Sequence, residues 1–381
     1  MALTDKLTAI AVAIREKGGT SEKLKLDEMP AAIAALEVGG GGSGVIEIPE
    51  FNGDLSYCFA NGNWSWLFKN YYDKISIGAI TKANNLFQNA NVDKIPPMTQ
   101  GTVTNCSWAY AFDKSGAKEI GTIDYFRPSE MSNMFRDNYN LRELPEITKF
   151  DSSTLNEQTW NGASSVFASC NSLRNIDSNF LKKIHCKATS TSYCHLVSAF
   201  TRCYTLDEII DLSPKTGVLT SNMFYYSAAG TFDHCYRLKR ITFDTKEDGS
   251  PYIVSWKNQT IDLSNGVGWL TGNDSYITGY NSGITADKKV VDGETYQALK
   301  NDPDWYTGHF EFSRFNQDSA VELINSLPDA SAYLATQSGG TNVIKFRRDA
   351  GIDTDGGKIG NLTEEEIAVA TAKGWSITYI T

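Results

Sequence analysis

The side chains that could do chemistry in this chain are few. Its imidazoles are His185, His195, His234 and His309. His185-Cys186 and Cys194-His195 place four possible metal ligands in one tract. Zinc sites set their Cys pairs roughly two to four residues apart, and this spacing does not match. Asp353, Asp355 and Gly356 form a short acidic loop that could hold calcium, but calcium takes about six to eight oxygens and one such turn supplies only part of that set. The chain has no serine nucleophile elbow, phosphate loop, H-E-x-x-H helix or dinucleotide fingerprint. Carboxylates abound, yet a glycosidase needs two at a defined separation, which spacing in sequence does not set. The expectation is a binding protein rather than an enzyme, with no metal and no cofactor.

Recognition chemistry is better supplied. Residues 242–312 are dense in aromatic, Asn, Asp and Gly residues, including Trp256, Trp269, Tyr276, Tyr280, Trp305 and Tyr306. Flat aromatic faces stack on the apolar faces of sugar rings, while Asn and Asp bind hydroxyls. The six rings are therefore the candidate glycan-binding residues. The same rings could instead bury an irregular insertion against the rest of the fold, because Trp and Tyr carry large apolar area. Asn52 to Trp66, with Tyr57, Phe59, Trp64 and Trp66, is read as a terminal shield, with a sugar platform as the other reading.

These residues must be positioned by a repeat running from about Leu67 to Ile241. The spacing Phe-x2-Cys-x2-Leu-x2-Ile occurs at Phe167, Cys170, Leu173, Ile176, at Phe200, Cys203, Leu206, Ile209, and at Phe232, Cys235, Leu238, Ile241. Phe135, Asn138, Leu141, Leu144 is a fourth copy; units at Phe87 and Phe112 are one residue shorter, and Leu67-Phe68 is the most worn. Such units are too small to bury their own apolar face, so they stack on neighbours. Phe is expected to point inward from a short helical turn, and Leu and Ile to point inward from the turn and the short strand that follows.

This pattern resembles the BspA-type (Treponema pallidum-like) leucine-rich repeats of bacterial surface proteins and of tail proteins of phages that infect gut bacteria. The likeness covers about the middle half of the chain. It implies a solenoid with an exposed recognition face.

The flanks complete the expected organisation. Leu3, Leu7, Ile10 and Ile14 share one face of a helix that Gly18-Gly19 ends, and Met29 and Ile33 line a second short helix. This 1–38 module looks like a short module of tail and baseplate proteins of phages of Gram-positive bacteria, which implies anchoring or oligomerisation. Gly39 to Gly44 is a flexible Gly/Ser linker. Residues 45–241 then hold the solenoid, 242–312 the aromatic-rich insertion and 313–381 a C-terminal repeat or cap unit. In the last, Ser319 and Thr363 are the expected helix caps, Glu366 completes a capping box, and strands are expected at Asn342–Phe346 and Trp375–Ile380. Leu362 to Ala368 with Ala372-Lys373-Gly374-Trp375 is similar to the closing unit of phage and gut-bacterial proteins with these repeats. The fold class expected is α+β.

The bulk properties fit this organisation. The 381 residues carry a net charge of -10 and 41% hydrophobic residues. Without a basic block, sequence-independent nucleic-acid binding is not expected. No apolar run reaches the ~20 residues that span a bilayer, so membrane insertion is not expected. The odd count of seven Cys and the lack of an export pattern at the N-terminus favour free thiols, although neighbouring repeats could pair two of them. Taken with the resemblance, the expectation is a virion protein of a phage tail or baseplate, assembled in the host cytoplasm. Its partners would be other virion proteins and a host-surface glycan or protein, and it would be a homo-oligomer, a trimer being the first candidate. A purely structural decoration protein and a bacterial surface adhesin are the alternatives.

Overall fold

A computed structural model describes residues 50–103, 106–151, 162–184, 196–214, 218–220, 222–226, 229–235, 237–265, 267, 315–348 and 357–380. The expected helical module and linker lie outside the described residues, and so does most of the expected aromatic insertion. The described part is a mixed α+β fold of short helices and several small parallel sheets. One sheet runs from Phe51–Asp54 through Ile77–Lys82 and Met98–Gln100 to Ile123–Asp124. Lys94–Ile95 pairs with Glu119–Ile120, Cys106–Ser107 with Pro128–Glu130, and Glu208–Leu212 with Arg240–Phe243, all parallel. Parallel pairing of consecutive short strands means that each strand is followed by a full circuit of chain before its partner begins.

Between the strands the chain makes runs of tight turns, each carrying one Phe. Their backbone is not the short helix expected from sequence. The residues two before and two after Phe87, Phe112, Phe135, Phe167 and Phe200 all have positive φ, between 52° and 62°. This left-handed conformation lets alternate amides point in different directions. Around Phe87, the amides of Asn85, Phe87 and Asn89 donate to the carbonyls of Ala109, Ala111 and Asp113 in the next unit. The amides between them turn back: Leu86 donates to Ala83, Gln88 to Asn85 and Ala90 to Phe87. The same alternation recurs around Phe135, where Asn133, Phe135 and Asp137 donate to Ser164, Val166 and Ala168. Every amide of the turn thus finds a partner without a helix or a ladder of long strands.

The Phe rings form a column inside this stack. Neighbouring rings from Phe59 through Phe87, Phe112, Phe135, Phe167 and Phe200 to Phe232 lie 4.9 to 6.0 Å apart and within 20° of parallel. This is offset stacking, the geometry that the ring quadrupole favours. The column begins at Phe59, so the sequence reading of Leu67-Phe68 as the first copy is corrected. Ser65–Tyr71 is an α-helix, and Phe68, Tyr71 and Ile75 are buried. Their spacing of three and four matches a helix face and mimics the start of the repeat.

Behind the rings, Cys170, Cys203 and Cys235 donate their thiol hydrogens to the carbonyls of Phe135, Phe167 and Phe200, at 3.0, 3.1 and 3.1 Å. Asn138, at the same place one unit earlier, uses its amide on Phe112 in the same way. Each thiol is a small hydrophobe that also ties one unit to the last. Leu173, Leu206, Leu238, Ile209 and Ile241 are fully buried, Ile176 nearly so, and Ile209 pairs with Ile241 across parallel strands.

The end of the described chain is built from helix and strand in alternation. Thr260–Asp262, Asn342–Arg347 and Trp375–Ile380 form a parallel three-stranded sheet, so part of the expected 242–312 insertion shares a sheet with the C-terminal unit. The helices are Gln317–Ser326, Ser331–Leu334 and Glu364–Ala372. The first is capped by Asn316, whose side chain accepts from the Ser319 amide at 3.0 Å while Ser319 Oγ accepts from the Asn316 amide. Ser319 is therefore the third residue of the helix rather than its cap, a shift caused by a second capping residue three positions upstream. Thr363 and Glu366 make the expected reciprocal box. Gly374 then takes φ +83°, and a Cβ there would meet Leu334 at 2.8 Å.

Candidate ligand-binding surface

The turn runs carry the described residues best placed to meet a partner. Inward positions hold Phe and the ladder thiols, while most left-handed positions on either side, Asn133 and His234 excepted, turn outward along the stack. Asn61, Asn89, Lys114 and Arg202 are exposed, Asp137 and Ser169 half-buried, and Tyr57 is 61% exposed. These positions suit short polar side chains, which tolerate positive φ best, and they exclude β-branched ones.

Polar contacts within and between units hold this surface in register. Asn89 donates to Asn61 Oδ1 at 3.1 Å, Asn85 to Gln88 at 2.7 Å, and Gln88 to Asp113 Oδ2 at 3.0 Å. Arg136 grips the buried Asp113 carboxylate through Nε at 2.9 Å and Nη2 at 3.1 Å, and Nη1 donates to Asn133. Its guanidinium lies 5.2 Å from the centre of the Tyr110 ring. Burial works against the Arg136 charge, but the hydrogen bond and charge of Asp113 outweigh it and raise the Arg136 pKa. Lys114 reaches Asp137 at 3.7 Å. The result is a strip of fixed donors and acceptors along the units of Phe59 to Phe135, suited to hydrogen bonding with a polar ligand.

The thiols offer no reactive group here. Burial pushes Cys106 and Cys203 up to about 12, and drives Cys170 and Cys235 well above the usual thiol range. A thiolate is the nucleophile, so these cysteines are inert at neutral pH. The described cysteines are all free thiols. Among the described residues no three His, Cys, Asp or Glu side chains gather as metal ligands, and no helix is long and apolar enough to cross a membrane.

The sequence-predicted site residues fare unevenly. Trp256 is fully buried, with its ring edge-on to Phe224, Phe243 and Trp375 at 6.0 to 6.3 Å. It is a core residue and cannot stack on a sugar. Polar composition around it suggested exposure, but Trp375, far along the chain, covers it. Trp269, Tyr276, Tyr280, Trp305 and Tyr306 lie outside the described residues, as do Leu3, Leu7, Ile10, Ile14, Met29 and Ile33. The same holds for His185, Cys186, Cys194, His195, His309, Asp353 and Asp355. His234 is buried at a left-handed turn position. In the expected terminal shield, Trp64 is buried and donates its indole N–H to the Phe59 carbonyl at 2.8 Å. Sequence reasoning missed the outward strip, although a signal was present: none of the residues two before or two after the column Phe residues is Val, Ile or Thr.

The chain was compared with models of known protein families, with curated proteins and with solved structures, and it matches none of them.

Proposed function

We propose that this chain is a non-enzymatic recognition protein of a phage tail or baseplate, whose stacked units form a leucine-rich-repeat solenoid of the BspA type. The observation that carries this reading is the Phe column with its outward polar strip. Each turn fixes one ring inside between two left-handed residues, most of which reach the surface, so the surface repeats with the core. Stacked repeats present extended surfaces of this kind, which suit binding to a large, repetitive partner. A host-surface glycan or protein is the partner class in this reading. The 1–38 module would join the chain to other virion proteins. Several copies per particle would raise avidity from weak individual sites.

The test is binding of the full fluorescently labelled chain to whole candidate host cells, before and after enzymatic removal of surface glycans. Binding lost on stripping supports a glycan receptor, and binding that survives supports a protein receptor. No binding to any strain that the source particle infects would refute the recognition role and leave a structural virion component.

A further inference from the structure

We infer that the strand Trp375–Ile380 pairs with the same strand of a second copy, antiparallel about a twofold axis through Thr378. The two edges of the described stack are built differently. The first strand, Phe51–Asp54, is blunted. Its pairing with Ile77–Lys82 slips at both sides of Gly53, which has φ +84°, and it ends on the charged Asp54. Bulges, glycine and charge are the usual devices that keep an edge from recruiting another strand. Trp375–Ile380 has none of them. Its six residues match Asn342–Arg347 one to one without a bulge, and it contains no charged residue, Pro or Gly. Among the described residues no strand lies on its other side.

The backbone fixes the register of the proposed pair. The Arg348 amide donates to the Ile380 carbonyl, so Ile380 faces the neighbouring strand. Alternation then turns the Ser376 and Thr378 backbone groups inward and those of Ile377 and Tyr379 outward. An antiparallel partner completes both outward residues when Ile377 lies opposite Tyr379 of the second copy, and Tyr379 opposite its Ile377. Thr378 then sits opposite itself. Ile377 and Tyr379 are partly buried against the core, so this register extends the apolar face with aromatic-aliphatic cross-strand pairs. The helix Glu364–Ala372 beside the strand leaves Val369 exposed, and the twofold sets the two copies of this helix antiparallel, which opposes their dipoles favourably. A second copy is the occupant because the edge is uncharged and self-complementary. The blunted first strand does not suit head-to-tail growth, so the contact closes on itself.

The test uses the full chain carrying Thr378→Cys. A non-hydrogen-bonded antiparallel pair brings opposing Cβ atoms to about 4.5–5.5 Å, close enough for a disulfide with small adjustment. Mild oxidation should therefore yield a covalent dimer through residue 378. Ser376→Cys, which lies opposite residue 380 of the second copy, should not cross-link to itself. Thr378→Lys places like charges face to face on an exposed position. It should raise the dissociation constant by up to about fivefold and lower the weight-average mass measured near that concentration, while the fold is retained. A Thr378→Cys chain that stays uncross-linked, cross-linking of Ser376→Cys as readily as Thr378→Cys, or a solution mass that Thr378→Lys leaves unchanged would each overturn the pairing.

Discussion

Replacing Phe135 with Ala should remove more stability than replacing it with Leu, and the loss that remains with Leu should measure the ring column itself. Phe135 is fully buried and stacked on Phe112 at 5.4 Å and 14°, and on Phe167 at 5.7 Å and 9°. Phe→Ala in a closed core costs about 3–5 kcal/mol, because the cavity collapses only in part. With the backbone on both sides held by hydrogen bonds to the next unit, this site has little room to collapse, so the upper half of that range applies. Leu restores most of the apolar volume but neither ring pair. Two pairs at about 0.5–1.5 kcal/mol each predict a loss of about 1–3 kcal/mol for Phe135→Leu. Guanidinium unfolding followed by tryptophan fluorescence reads both. With a slope near 6 kcal/mol per M, at the upper end for ordinary domains, Ala should lower the midpoint by about 0.7 M and Leu by about 0.3 M. A Leu shift below about 0.1 M would show that the rings are adjacent without stabilising one another, and an Ala shift below about 0.2 M would show that the site collapses around the lost ring.

Other consequences can be measured in the same way. Arg136→Ala strips the buried Asp113 of its bidentate partner and should cost about 1–3 kcal/mol, discounted because the arginine is partly exposed. Arg136→Lys should recover only part of that loss in thermal melts. The buried thiols predict loss of stability in alkali. An acid whose folded pKa is raised gives its full contribution below its ordinary value and loses it towards the folded value. Cys106 and Cys203, at about 12 in the fold against 9.0, should each remove about 1.4 kcal/mol per pH unit above about pH 9, and Cys203→Ala should flatten that slope. At the exposed Lys114, with φ +55°, Lys114→Gly should stabilise or leave the melting point unchanged, whereas Lys114→Val should cost about 1–2 kcal/mol. Asn342→Ala deletes a buried amide that accepts from the Gln259 N–H at 3.0 Å and donates to the Trp256 carbonyl at 3.2 Å. It should cost about 2 kcal/mol and speed hydrogen exchange at Gln259.

Much of the interior was legible in sequence because it depends on local spacing. The Phe-x2-Cys-x2-Leu-x2-Ile units, the Thr363–Glu366 box and the strands near Asn342 and Trp375 were all readable from short windows. Three features were not. The left-handed turns arise from hydrogen bonds between units, and no window of one unit contains both partners. Phe59 opens the column, yet it lacks the Leu and Ile tail that marks the later copies, whereas Phe68 borrows that tail from a helix. Trp256 sits in polar surroundings along the chain, and only the return of Trp375 in space decides that it is buried.

The Phe column also separates chain length from pitch. The connection from Phe135 to Phe167 is longer than that from Phe112 to Phe135, yet the ring separations are 5.7 and 5.4 Å. The turns set the step, and the intervening chain adjusts its path to suit. Such a molecule can vary its loops by insertion and deletion without shifting the frame on which the outward strip is mounted. Diversification of the connections and preservation of the scaffold are thus mechanically independent, and foreign loops grafted between the turns should leave the ring spacing unchanged.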